Sequence, residues 1–238
     1  GFAALRRVDA GMSLYRPDSA IVRVNAHAAA RAQRVDDELL ALLARAAELS
    51  ALTDGAFDVT ILPLLRAWGA YSGLDHVAAG RPEAVGWRGL RVDRAAKTVA
   101  FGRERLGIDL GGIAKGFALD RARAALAAAG ARRATIDLGG NLAFLGDGPD
   151  GAWRIAVRDP ESESGTLGVL ALAAGDTVST SGNYARDFAA EGWRVPSHIY
   201  DPRTGAPVRG DLAVTVWTSD ATAADALSTA LLVLGPDA

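Results

Sequence analysis

Asp109-Leu110-Gly111-Gly112-Ile113-Ala114-Lys115-Gly116 ends one apolar run and opens an alanine-rich helix, and a second Asp-Leu-Gly-Gly follows at Asp137-Leu138-Gly139-Gly140. Each copy closes a segment that reads as a strand. A strand that stops at paired glycines and turns into a helix brings backbone N–H groups close to a ligand, with the positive end of the helix aimed at it. That geometry suits a phosphate or pyrophosphate. Asp109 adds an acceptor before the turn and Lys115 a positive charge after it. The expectation is a chain that handles a phosphorylated small molecule. The segment lacks both the P-loop spacing and the Gly-x-Gly-x-x-Gly fingerprint. Paired glycines also occur in plain tight turns, so a strand–helix turn with Lys115 on the surface is the competing reading.

Outward from this stretch, the hydrophobic period separates two regimes. Before it, Phe2 to Tyr15 reads as a helix with Phe2, Leu5, Val8 and Met12 on one face, broken by Arg16-Pro17-Asp18-Ser19. Asp36 to Leu52 reads as a helix with a leucine stripe and acids at its start. Ala56 to Thr60 is an extended approach to a short helix begun by Pro63. Ser72 to Gly89 is loop-rich, with a turn of helix after Pro82. From Leu90 the pattern alternates. Leu90–Asp93 and Thr98–Phe101 read as a hairpin, and Leu106–Leu110 as a short strand. Lys115 to Ala129 is a helix with Gly130 beyond its end. Strands are expected at Ala134–Leu138, Leu142–Leu145, Trp153–Val157, Leu167–Leu172, Thr177–Thr180, Ser197–Tyr200 and Leu212–Trp217. Ser219 or Asp220 caps a last helix through Leu234. Antiparallel strands with segregated helices give an α+β fold class.

Composition removes several function classes. The chain has 238 residues, 50% of them hydrophobic and 23% charged, enough for a substantial core. A net charge of −2 and 6% aromatic residues argue against nucleic acid as a partner. There is no cysteine, which excludes disulfides, thiolate metal sites and a cysteine nucleophile. No apolar run reaches membrane-spanning length.

Three further clusters carry chemistry. Asp225, Ser228 and Thr229 stand at i, i+3 and i+4 on the last helix, so three oxygens share a face. They are hard ligands suited to Mg²⁺, or small polar residues that pack and back-bond to carbonyls. In Ser197-His198-Ile199-Tyr200-Asp201-Pro202, His198 is a usable base near neutrality, or a structural histidine. Ser179-Thr180-Ser181-Gly182-Asn183-Tyr184 is a hydroxyl-rich strand end that suits either a phosphate or solvent. His27 and His76 fall in polar loops and are read as structural.

Taken in order, these pieces resemble the FAD:protein FMN transferase (ApbE) family. The matching segments are Met12 to Ser19, Gly55-Ala56-Phe57-Asp58-Val59-Thr60, Asp109 to Asp120, Asp137 to Asn141, Ser179 to Tyr184, Ser197 to Pro207, and Ala224 to Leu231. The resemblance implies a single, two-lobed, T-fold-like domain over residues 1–238, trimmed at both ends relative to the family pattern. It implies an enzyme that cleaves the pyrophosphate of FAD, attaches FMN to a Thr hydroxyl of a target protein and releases AMP. Carried over, Tyr15, Ala56, Phe57, Asp58 and Tyr200 contact FAD, and Asp109 and Lys115 flank the nucleotide. Asp225, Ser228, Thr229 and the Gly112 carbonyl bind Mg²⁺, and His198 is the base. The implied acceptor is a flavoprotein with a Ser/Thr-Gly-Ala-Thr segment, such as a subunit of a respiratory membrane complex. The implied location is the periplasm or cell envelope, with a lipid anchor preceding Gly1. An FAD pyrophosphatase using the same Mg²⁺ site and a non-catalytic flavin-binding protein are the alternative functions.

Overall fold

Leucines and alanines at helical spacing bury one side of residues 37–52, and Asp36 starts that helix by accepting the Leu39 N–H at 2.8 Å. The computed structural model describes residues 1–77, 81–162, 164–183, 197–210 and 212–236. The helices are α1 (Phe2–Met12), α2 (Ala20–His27), α3 (Asp37–Leu52), α4 (Leu62–Ala67), α5 (Ala114–Ala128) and α6 (Ala221–Leu234). The strands are β1 (Gln33–Arg34), β2 (Leu90–Asp93), β3 (Thr98–Phe101), β4 (Ala134–Leu138), β5 (Asn141–Leu145), β6 (Trp153–Arg158), β7 (Thr166–Leu172), β8 (Thr177–Gly182) and β9 (Ala213–Thr218).

Among the described residues all strand pairs are antiparallel. They form a three-stranded sheet β1-β3-β2, a four-stranded sheet β4-β5-β8-β9, and the ribbon β6-β7. Helices α5 and α6 pack together on the four-stranded sheet, α5 over β4 and β5, α6 over β8 and β9. The main core joins α1, α2, α3 and the three-stranded sheet to the inner faces of α5 and α6, through Ile21, Leu39, Leu42, Leu43, Val99 and Ile113. The expected α+β class is the observed one.

Several local expectations give way. The first helix ends at Met12 rather than Tyr15, and Phe2 is exposed rather than on the buried face. Helix α2, capped by Ser19 accepting the Val22 N–H at 3.3 Å, was not foreseen, and it places His27 at a helix end instead of in a loop. Leu106–Leu110 is not a ladder strand. It is extended and buried, but Gly107 makes only an isolated parallel bridge with Ile61. The Ile108 backbone is met by a side chain: Asn25 Nδ2 donates to its carbonyl at 2.9 Å, and its N–H donates to Asn25 Oδ1 at 2.7 Å. Ser197–Tyr200 is likewise no strand but one arm of a loop closed by the Tyr200–Pro207 bridge. The two Asp-Leu-Gly-Gly copies also differ. The second is a two-residue hairpin in which Leu138 pairs with Asn141 and both glycines have positive φ, 63° and 90°. Only the first leads into a helix.

Candidate functional site

Helices α5 and α6 cross so closely that one position at the contact has no room for a side chain. A Cβ on Gly116 would lie 2.1 Å from the Ala221 carbonyl oxygen and 2.8 Å from Asp225 Cβ. This approach brings the start of α5 against Asp225, whose carboxylate is buried and held from several sides, Ser179 Oγ at 3.5 Å among them. Its Oδ2 accepts the Gly116 N–H at 2.9 Å, its Oδ1 accepts Asn141 Nδ2 at 2.7 Å, and Lys115 Nζ stands 3.8 Å from Oδ1. The α5 amide expected to face a phosphate is therefore taken by a carboxylate from α6. The Gly111 N–H is also taken, by Asp109 Oδ1 at 2.7 Å.

One turn along α6, the hydroxyls gather. Ser228 Oγ lies 2.7 Å from Ser181 Oγ and 3.3 Å from Ser179 Oγ, and it donates to the Asp225 carbonyl at 2.9 Å. Thr229 Oγ1 lies 3.3 Å from Ser181 Oγ. Gly112 reaches the same place: a Cβ there would be 3.3 Å from Thr229 Oγ1 and 3.4 Å from Phe57 Cε2. Thus Gly112, Lys115, Asp225, Ser228 and Thr229, read from two distant stretches, meet at one place with Phe57 beside them. Among the described residues no three His, Cys, Asp or Glu side chains come together. The cluster is one carboxylate among hydroxyls, a donor set for a hard cation and not for zinc.

Asp109 forms the other side of the glycine turn. Its Oδ2 accepts the Tyr71 hydroxyl at 2.6 Å. Burial pushes the Asp109 carboxyl up from the usual range, against the pull of the Tyr71 and Gly111 hydrogen bonds. The Tyr71 phenol is raised as well, first by burial and then by the Asp109 charge. The Tyr71 ring meets Tyr15 edge-on, with centroids 5.6 Å apart and planes at 66°. Tyr15 itself is 70% exposed. The approach to the turn is held by Asn25 and by the Asp109 N–H, which donates to the Val59 carbonyl at 2.8 Å.

Ala56, Phe57 and Asp58 are all buried, and Phe57 belongs to the main core. Asp58 Oδ1 accepts the Thr60 N–H and hydroxyl at 2.8 and 2.7 Å, and Oδ2 accepts the Trp87 N–H at 2.8 Å. Its carboxyl is buried, and burial raises its pKa despite those bonds. The carboxylate of Asp58 thus anchors the 58–60 turn to residue 87. In the 197–207 loop, Ser197 closes a local turn with Ile199, and the Val208 N–H donates to the Ile199 carbonyl at 2.9 Å. Tyr200 packs on Trp68, centroids 5.4 Å apart, and burial raises its pKa. His198 is half-buried in this loop, next to Ser197 and separate in sequence from the α5–α6 cluster. Tyr184, part of the hydroxyl-rich segment, lies outside the described residues.

Sequence reasoning passed over Tyr71, Asn25 and Trp68, and quoted Asn141 and Ser181 without assigning them a role. No motif surrounds Tyr71 or Asn25. Their partners are 38 and 83 residues away, so spacing carries no trace of them.

The ApbE family model matches residues 1–238. Among curated relatives, an FAD:protein FMN transferase of Rhodobacter capsulatus is 38% identical over 89% of this chain, which spans 41% of that protein. One from Vibrio cholerae is 31% identical over 98% of this chain and 72% of its own length. Among solved structures, the flavinyl transferase ApbE of Pseudomonas stutzeri superposes with a TM-score of 0.83 at 35% identity, covering 99% of this chain and 74% of that one. The apbe protein of Thermotoga maritima gives 0.84 at 35%, covering 98% and 77%. The fold is that of the flavin transferases of known structure. The chain belongs to the ApbE family.

Proposed function

We propose that the protein transfers the FMN half of FAD to a threonine hydroxyl of an acceptor protein and releases AMP, with Mg²⁺ as its metal. The observation that carries this reading is the meeting of the first glycine turn with α6. Lys115, Gly112, Asp225, Ser228 and Thr229 come together beside Phe57, within a fold shared with flavin transferases.

The donor set fits magnesium. Asp225, Thr229 Oγ1 and the Gly112 carbonyl would hold it, with Ser228 in support, because all are hard oxygens and one carboxylate leaves positions for phosphate oxygens. When bound, the ion supplies charge neutralisation on the pyrophosphate. The chain's own groups do the rest. Lys115, 45% exposed, reaches past Asp225 and offers an ammonium to the same phosphates. Asn141 and the Gly116 N–H fix the orientation of the Asp225 carboxylate. Tyr15, the exposed one of the three assigned aromatics, supplies surface for the flavin, while Phe57 and Tyr200 are buried in this structure. His198 is assigned as the base. It takes the proton of the acceptor hydroxyl as that oxygen bonds to the FMN phosphorus and the bond to the AMP oxygen breaks.

The acceptor is read as a flavoprotein carrying a Ser/Thr-Gly-Ala-Thr segment, in the class of respiratory membrane complexes, and the location as the cell envelope. No helix among the described residues is long and apolar enough to cross a membrane. The test is mass spectrometry of a purified acceptor domain after incubation with the protein, FAD and Mg²⁺, with AMP measured alongside. An FMN adduct on the acceptor threonine, abolished by EDTA and by Asp225→Ala, is the expected result. AMP and FMN without an adduct would replace the transferase with a pyrophosphatase.

A further inference from the structure

Tyr71 is a bulky residue where the backbone favours glycine. Its φ is +60°, a region that a large L side chain enters only at a cost. The surrounding turn holds it there: Arg66 donates to its carbonyl, and so does the Leu74 N–H at 3.0 Å. From this position Tyr71 packs against the main core and makes two directed contacts. Its hydroxyl donates to Asp109 Oδ2 at 2.6 Å, and its ring meets the edge of Tyr15 at 5.6 Å. Asp109 is buried beside the glycine turn, and Tyr15 stands exposed above it. One side chain thus braces a buried acceptor and an exposed aromatic together.

We propose that Tyr71 is a positioning residue of this site, orienting Asp109 and Tyr15 together for a planar heteroaromatic ligand, the flavin ring of FAD. The proposal rests on the FAD reading given above. With Gly111 on one oxygen and Tyr71 on the other, the Asp109 carboxylate plane is set, and its remaining lone pairs have fixed directions. The hydroxyl-to-carboxylate bond is of the short, charge-assisted kind that orients as well as stabilises. The contact with Tyr71 holds a Tyr15 ring that would otherwise turn freely in solvent. Preordering both groups removes a cost from binding.

The experiment is an FAD titration, followed by flavin absorption and fluorescence, on the protein and on Tyr71→Phe, Tyr71→Gly and Asp109→Asn variants, with Tm measured for each. Tyr71→Phe keeps the ring and drops only the hydroxyl; FAD binding weakens about tenfold, and Tm falls modestly because Asp109 Oδ2 loses its buried partner. Tyr71→Gly relaxes the positive φ but also deletes a ring packed on the main core, so Tm falls; titrated at a temperature where the variant stays folded, FAD binding weakens further and the flavin absorption band shifts. Adding Tyr71→Phe to Asp109→Asn produces no further loss, because Tyr71 acts through Asp109. Unchanged FAD affinity in both Tyr71 variants would overturn the proposal. So would losses that multiply independently with Asp109→Asn, or that scale only with the fall in Tm across the variants and vanish when each is titrated well below its melt. Failure of the unmutated protein to bind FAD would instead remove the flavin reading, and this proposal with it.

Discussion

A methyl group at Gly116 would be driven into the Ala221 carbonyl at 2.1 Å, a backbone atom that cannot rotate away. Gly116→Ala must therefore push α5 and α6 apart. The expected cost is about 3 kcal/mol or more, the upper end for overpacking. For a chain of this size that lowers Tm by roughly 6–12 °C in a thermal melt. FAD-dependent activity falls with it, since the same contact places Asp225. Asp58 gives a different residue-scale prediction. Burial makes its carboxyl hold a proton more tightly in the folded chain than in the unfolded one. Unfolding then releases a proton between the ordinary carboxylate pKa and the raised folded value, so stability falls as pH rises through that window. A Tm series over the acidic range should show this decline. In Asp58→Asn the slope should be flatter, although Tm is lower throughout because the amide places an N–H donor among the N–H and O–H donors that the carboxylate accepts.

At the scale of elements, the two Asp-Leu-Gly-Gly copies separate function from folding. Gly139 and Gly140 both need positive φ for the β4–β5 turn, yet a Cβ on either would meet nothing within 4 Å. Gly139→Ala should cost about 1–2 kcal/mol, the price of a left-handed L residue, and leave FAD affinity unchanged. Equal loss of affinity in Gly139→Ala would mean that this hairpin also touches ligand. The β2–β3 hairpin was legible in the sequence to the residue, because alternation over four residues on each side admits one register. The segment before Asp109 was not. Its apolar run looks like a strand, but its partners are the Asn25 side chain and single backbone bonds from distant loops. Hydrophobic pattern reports burial, and it does not report what supplies the hydrogen bonds.

For the whole molecule, the site is a product of assembly. Its groups come from α5, α6, β5, β8 and the loops around Tyr15, Phe57 and Tyr71. Ligand that bridges these parts should stabilise all of them together. At a hundredfold excess over its Kd, FAD with Mg²⁺ adds about 2.7 kcal/mol, which raises Tm by roughly 5–10 °C. EDTA should remove most of that rise, and Mg²⁺ alone should give little of it, since one carboxylate binds the ion weakly without phosphates. A full shift in EDTA would separate FAD binding from the metal.

The sequence by itself determined the α+β class, most element positions, and the family, because periodicity, capping residues and ordered motifs are local properties of the chain. It also placed Asp225, Ser228 and Thr229 on one helix face, since helical spacing alone decides that. Tertiary structure decided that this face meets Gly112 and Lys115, that Asp58 is tied to the Trp87 amide, and that the Gly116 amide is taken by Asp225. It also supplied Tyr71 and Asn25. These outcomes depend on which hydrogen-bond donor and acceptor the folded chain brings within 3 Å, and partners 29 to 109 residues apart leave no mark on local pattern.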